Sequence, residues 1–131
     1  TIEEKSQKYL QAPSGGPLVQ HAILAMIDLY KQGKISLEMI VQKMSHNVAD
    51  LFQIKDRGYI REGYFADLVL IDLNKPTKVE RKDVLSKCGW SPFEGHTFVS
   101  TIKKTFVNGN LVFDEGKFNE SQLGKRLSFN R

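Results

Sequence analysis

The sequence predicts an α+β fold, or the seam between two domains, with helices first and strands second. Three observations carry that reading. Apolar residues recur at helical spacing in the first part of the chain, between Val19 and Phe52. Past Gly58 the period changes, and residues 66–71 form a nearly continuous apolar run broken by Asp67. Asn108-Gly109 has the composition of a two-residue hairpin turn, because both of its positions need positive φ.

Residues 1–11 are polar and read as a frayed helix or loop, with Glu3, Glu4 and Lys5 as a solvated charge cluster. The stretch Ala12-Pro13-Ser14-Gly15-Gly16-Pro17-Leu18 follows, with two prolines and two adjacent glycines in seven residues. Proline suits a first helical position, and the first N–H groups of a helix are unpaired. Loop, glycine and helix start together make a cradle for an anionic group; the alternative is a tight turn that only aims the helix. The spacing predicts a helix over residues 17–32, with Val19, Ala22, Ile23, Met26, Ile27 and Tyr30 as its apolar stripe. Gly33 stands where a left-handed residue ends such a helix, and Lys31 and Lys34 suit its negative end. Ser36 is the expected N-cap of a second helix, stapled by Ile35 and Ile40. Its inward stripe is Leu37, Ile40, Val41 and Met44, and it is expected to end near His46. Asn47 is expected to cap a short third helix over residues 48–52.

Gly58 and Gly63 bracket a short strand and turn. Residues 66–71 read as a buried strand. Residues 72–76 read as a turn, Val79 as another extended piece, and residues 81–87 as a helical turn or loop. Residues 88–95 form a loop with the large apolar anchors Trp90 and Phe93. Ile102 and Phe106 lead into the hairpin turn, and Leu111, Val112 and Phe113 lead out. Asp114-Glu115-Gly116-Lys117 makes a second turn before Phe118 resumes a strand. The basic tail, residues 124–131, is expected along the surface.

The chain has 131 residues, 40% hydrophobic and 26% charged, as in an ordinary globular domain. No apolar run approaches the ~20 residues of a membrane span, and there is no secretory signal pattern. The first residue is Thr1, so a segment before it is expected to be missing. The net charge is +4, with the cations scattered. A basic stripe with aromatic platforms is absent, so neither nucleic acid nor membrane is an expected partner. Cys88 is the single cysteine and reads as a small packed residue, which suits a reduced, cytoplasmic protein.

Chemistry-bearing residues are sparse. A hydrolytic metal site needs three or four converging ligands. The three histidines, His21, His46 and His96, lie far apart in sequence and read as structural or solvated. Ser14 has glycine neighbours but no nucleophile elbow. Gly15-Gly16 lacks the lysine of a phosphate loop. Asp67 reads as a cap or turn at a strand edge.

Four stretches carry a resemblance: Glu3-Glu4-Lys5 leading to Ala12-Pro13-Ser14-Gly15; the run Gly58-Tyr59-Ile60-Arg61-Glu62-Gly63-Tyr64-Phe65-Ala66-Asp67-Leu68-Val69-Leu70-Ile71-Asp72; Lys87-Cys88-Gly89-Trp90-Ser91-Pro92-Phe93-Glu94-Gly95; and Thr105-Phe106-Val107-Asn108-Gly109-Asn110-Leu111-Val112. With them the chain resembles the C-terminal part of the dihydroorotases, within the amidohydrolase superfamily. The second and fourth stretches are shared with hydantoinase-like relatives; the first and third are more particular to dihydroorotases. The resemblance implies an α/β barrel fragment plus β-sandwich. Residues 1–56 would hold the last helix of a (β/α)8 metal-dependent hydrolase barrel, and residues 57–131 the C-terminal part of a small β-sandwich. It implies that Pro13, Ser14 and Gly15 touch the substrate, and that Val48 replaces a proline usual after the capping Asn.

The resemblance further implies a parent enzyme that reversibly converts N-carbamoyl-L-aspartate to L-dihydroorotate in pyrimidine biosynthesis, using one or two zinc ions. The catalytic Asp and the metal ligands are expected upstream of Thr1. This chain alone is then expected to bind no metal and to be inactive. Its partners would be the substrate and the N-terminal remainder of the same protein, and a homo-oligomer is compatible. A hydantoinase-like relative and a non-catalytic interaction module are the alternatives.

Overall fold

The computed structural model describes residues 1–121 and 124–130. The chain opens with one helical turn, α1 (Ile2–Lys5), closed by a capping box in which Thr1 accepts from the Glu4 N–H and Glu4 reaches back to the N-cap backbone. A 3₁₀ turn, Val19–His21, leads into α2 (Ala22–Lys31). Helical structure therefore begins at Val19 rather than Pro17, and no side chain caps the start. The expected stripe is met at Ile27 and half-buried at Ala22, Ile23, Met26 and Tyr30, but the buried face is turned toward His21 and Leu24. His21, Leu24 and Ile27 are buried, whereas Val19 is 94% exposed. The end matches expectation. Gly33 has φ +70°, its N–H bonds the Tyr30 carbonyl, and the Lys34 N–H bonds the Leu29 carbonyl.

Ser36 caps α3 (Leu37–Val41) by accepting from the Met39 N–H at 3.2 Å. The helix does not stop at His46. It runs through a π turn, Gln42–His46, into α4 (Asn47–Leu51). Asn47 has helical φ and ψ and so continues the helix instead of capping a new one. With a helical residue on both sides, its backbone N–H is already paired, to the Gln42 carbonyl. Of the expected inward stripe only Ile40 is buried, while Val41 and Met44 are exposed.

The strands are β1 (Leu68–Asp72), β2 (Thr77–Lys78), β3 (Thr97–Phe98), β4 (Thr101–Val107), β5 (Asn110–Asp114) and β6 (Lys117–Phe118). They form an antiparallel four-stranded sheet in the order β1-β4-β5-β6 and a two-stranded sheet of β2 and β3. The β4–β5 turn has φ +52° at Asn108 and +82° at Gly109, both left-handed as the Asn-Gly pair requires. Glu115 and Gly116 repeat this in the β5–β6 turn. Two strand expectations fail. Residues 58–63 are turn and bend, not strand, and β1 is an edge strand with Val69 and Leu70 exposed. A continuous apolar run signals burial on both faces; here the outer edge of β1 and the neighbouring side chains Val69 and Leu70 have no covering element among the described residues.

Between the two sheets and α2 lies the core. Leu24, Val79 and Phe98 are packed together, with Ile23, Ala25, Phe93 and Ile102 against them. Among the described residues the fully buried hydrophobics are only Leu24, Ile27, Ile40, Ala49, Val79 and Phe98. Leu18, Val19, Val41, Val48, Leu51, Phe52, Val69 and Leu70 stay exposed. Monomeric proteins rarely leave apolar surface on this scale in water. The isolated chain is therefore expected to self-associate. Sedimentation velocity checks this: the mass should rise with concentration above the 14.9 kDa of one chain, and a constant 14.9 kDa would contradict it.

The tail lies on the surface. Residues 124–130 are exposed, Phe129 bridges Ile54, and the Lys125 ammonium sits 5.2 Å from the Phe65 ring centre. Arg131 lies outside the described residues.

Candidate functional site

Pro13, Ser14 and Gly15 sit together, all exposed, on a loop between α1 and the 3₁₀ turn. Gly15 has φ +86°, and no atom outside its chain neighbours lies within 4 Å of where a Cβ would stand, so a ligand can reach its backbone. Ser14 adds a hydroxyl that can donate or accept. The Lys5 ammonium donates to the Pro13 carbonyl and ties the loop to α1. The expected cradle at the helix start is not assembled, however. Gly16, Pro17 and Leu18 separate the loop from the helix, and the His21 N–H is spent on the Leu18 carbonyl at 3.1 Å. The loop thus offers its own backbone and a hydroxyl, without helix N–H donors.

The 3₁₀ turn behind this loop is fixed to distant segments. The Gln20 side chain donates to the Asp83 carbonyl at 2.7 Å and accepts from the Leu85 N–H at 2.9 Å. His21 is buried, with its ring stacked on Phe98 at 6.0 Å and edge-on to Phe93. Its Nδ1 lies 3.2 Å from Ser91 Oγ. Burial holds the His21 imidazole below the ordinary histidine range. Ser91 belongs to the Trp90-Ser91-Pro92-Phe93 stretch, whose loop with apolar anchors is thereby explained. Sequence reasoning gave His21 a structural role but had no signal for its partner seventy residues away.

The other histidines are equally occupied. His96 Nε2 lies 3.0 Å from Asp28 Oδ2, and the other Asp28 oxygen accepts from the Val99 N–H. His46 lies within the long helical run, not at its end, and stacks on Tyr59 at 4.1 Å. The Tyr59 hydroxyl donates to Asp50 at 2.7 Å, which raises its pKa. Cys88 is half-buried beside Ser86 Oγ, whose hydrogen bond lowers the thiol pKa. Among the described residues no group of three His, Cys, Asp or Glu side chains could hold a metal ion. The residues present do not fit a zinc site. Among the described residues no helix is long and apolar enough to cross a membrane.

An accessible loop, the helices behind it and antiparallel sheets packed on them are the arrangement that comparison with known proteins assigns to a family. The family model described as "Amidohydrolase family" matches residues 12–112, and the chain belongs to that family. The dihydroorotase of Clostridium acetobutylicum is 34% identical over 88% of this chain and 27% of its own length. The allantoinase of Desulfitobacterium hafniense is 33% identical over 75% of this chain and 22% of its own. Among solved structures, the L-hydantoinase (dihydropyrimidinase) from Arthrobacter aurescens superposes with a TM-score of 0.82 at 28% identity. That match covers 90% of this chain and 27% of the other. The chain thus spans about a quarter of the length of the relatives it matches.

Proposed function

We propose that this chain is the C-terminal part of a dihydroorotase, which interconverts N-carbamoyl-L-aspartate and L-dihydroorotate. The observation that carries the reading is the similarity to dihydroorotases over 88% of the chain, at 34% identity. Residues 1–56 supply the end of a (β/α)8 barrel, with α2 as its last helix. Residues 57–131 supply one share of a β-sandwich. The exposed apolar residues Leu18 and Val19 ahead of α2, Met39 and Val41 of α3, and Val48 and Leu51 of α4, together with the open edge of β1, support this division, since each lacks a covering element among the described residues. Pro13, Ser14 and Gly15 form one wall of the substrate pocket, where exposed backbone and a hydroxyl can bond a ring imide. The zinc ligands and the general base come from the N-terminal remainder of the same cytoplasmic protein.

A hydantoinase-like specificity is the second reading, favoured by the superposition on an L-hydantoinase. Assaying the full-length protein with dihydroorotate and with hydantoins separates the two. Dihydroorotate is expected to be the better substrate; a preference for hydantoins would overturn the first reading. Ser14→Ala removes one hydrogen-bonding group from the wall. Losing one such bond costs about 0.5–1.5 kcal/mol, so KM should rise roughly two- to tenfold while the fold is kept. An unchanged KM in both Ser14→Ala and Gly15→Val would remove the loop from the pocket.

A further inference from the structure

The 3₁₀ turn Val19–His21 is the landward end of the 13–15 loop, and a backbone relay joins the two. The His21 N–H bonds the Leu18 carbonyl, and the Leu18 N–H bonds the Gly16 carbonyl at 3.0 Å. Gly16 is the next residue after Gly15. On its other side the loop is held by Lys5 at Pro13. The position of the loop therefore depends on how firmly the 3₁₀ turn is seated. Gln20 and His21 do the seating, each against segments more than sixty residues away.

The two anchors differ in kind. Gln20 bonds backbone groups and does not titrate. His21 does. Ser91 Oγ already accepts the Phe93 N–H at 3.2 Å, which leaves its own hydrogen to donate to His21 Nδ1. That geometry suits the neutral imidazole with its proton on Nε2. Three conditions oppose a positive charge there. The ring is buried between Phe93 and Phe98. It stands at the N-terminal end of α2, where the helix dipole is positive. The groove beside the ring carries no negative excess: Lys75, Lys78, Lys82 and Lys103 border it with Asp83, Glu115 and Glu120, and Glu115 is paired with Lys103 and the neighbouring Glu80 with Lys82. Beyond Phe98, Asp28 is committed to His96 and to the Val99 N–H. A proton on His21 thus finds no buried counter-charge among the described residues.

We propose that the buried His21 imidazole, seated on Ser91 and Phe98, is an acid-sensitive mooring of the 13–15 loop, a positioning residue whose protonation lets the loop drift. Its consequence for substrate binding rests on the proposed function above; the mooring itself does not. The neutral form predominates above the ordinary histidine pKa of about 6.5, and the mooring weakens as pH falls below it.

The test uses the full-length protein. Hydrogen-exchange protection factors, corrected for intrinsic pH dependence, are measured for a peptide covering residues 14–22 at pH 7.5 and pH 5. Protection in the wild type should fall severalfold at the lower pH, since burial disfavours the protonated ring in the folded state. His21→Gln keeps an acceptor for Ser91 but cannot titrate, so its protection should be nearly pH-independent. Should that variant fold poorly, Ser91→Ala serves instead. It removes the bond that favours the neutral ring, and the loss of protection should then begin at higher pH. Equal protection at both pH values in the wild type overturns the mooring, as does a midpoint unmoved by Ser91→Ala. KM for dihydroorotate, read in parallel, should rise at pH 5 in the wild type and not in His21→Gln. A protection loss with no change in KM supports the mooring and counts against the 13–15 loop as a substrate wall.

Discussion

Gly58→Ala is expected to destabilise the protein by about 2–5 kcal/mol, the sum of a left-handed backbone cost and an overpacked contact. Gly58 has φ +82°, a region that side chains rarely adopt. A Cβ there would overlap the Ala49 Cβ and come within 3.2 Å of the Ser45 carbonyl oxygen. Ala49 is buried in α4, and Ser45 lies in the π turn, so both neighbours are held by the helix. Neither can give way as the tip of a long side chain would. Gly63→Ala is the matched control. Its φ is +80°, but nothing lies within 4 Å of the new methyl group. Urea unfolding of the two variants should give a clearly larger loss for Gly58→Ala, and the difference measures the close approach alone. Equal losses would mean that the helix and the 57–59 segment are not in contact in solution. A domain's whole stability is about 5–15 kcal/mol, so the Gly58 variant is expected to be partly unfolded at 37 °C.

The second large effect is expected at Arg57, whose side chain is only 10% exposed. Its guanidinium pairs with Asp67 Oδ2 and donates to Asn108 Oδ1 at 2.6 Å. Its face covers the Phe65 ring at 4.2 Å. The other Asp67 oxygen accepts the Asn108 N–H at 2.8 Å, and the Gly109 N–H bonds the Ala66 carbonyl. One cation therefore fastens the segment after the helices to both the entrance of β1 and the tip of the β4–β5 hairpin. Removing it leaves Asp67 and Asn108 without their shared partner. Arg57→Ala should cost about 3 kcal/mol, near the low end for a broken buried pair because Asp67 is partly exposed. Arg57→Lys should recover only part of this, since an ammonium cannot hold the two oxygens in one planar fork. A double-mutant cycle with Asn108→Ala should give a coupling of about 0.5–3 kcal/mol. A coupling near zero would mean that the hairpin tip is held by its turn geometry alone.

Much of the candidate site was legible as punctuation and little of it as chemistry. The glycines and prolines at positions 13–17 marked an accessible loop, and the loop is accessible. Their assignment to substrate comes from resemblance to a family, because among the described residues no His, Cys, Asp or Glu group that could hold a metal marks the loop as a reacting centre. Of the two readings of this stretch, the anion cradle is not assembled and the turn is, for a local reason: Pro17 supplies no N–H and the helix forms only after Leu18. Gln20 and Ser91 drew no functional expectation. Each acts on a segment sixty to seventy residues away, and spacing within a helix carries no information about such a partner.

What the sequence by itself determined is the set of features governed by one residue's φ and ψ or by neighbours within a turn. Ser36 caps, Gly33 ends α2, Asn108-Gly109 turns the hairpin, and the change from helical to strand period falls between the helices and β1. Tertiary structure alone decided which face of α2 is buried, whether Asn47 starts or continues a helix, and that β1 is an edge. Those outcomes depend on what packs against each element. Apolar spacing states that a face needs cover. It does not state which atoms provide the cover, and at α2 the ring of Phe98 chose the face of His21 and Leu24 over the stripe beginning at Val19.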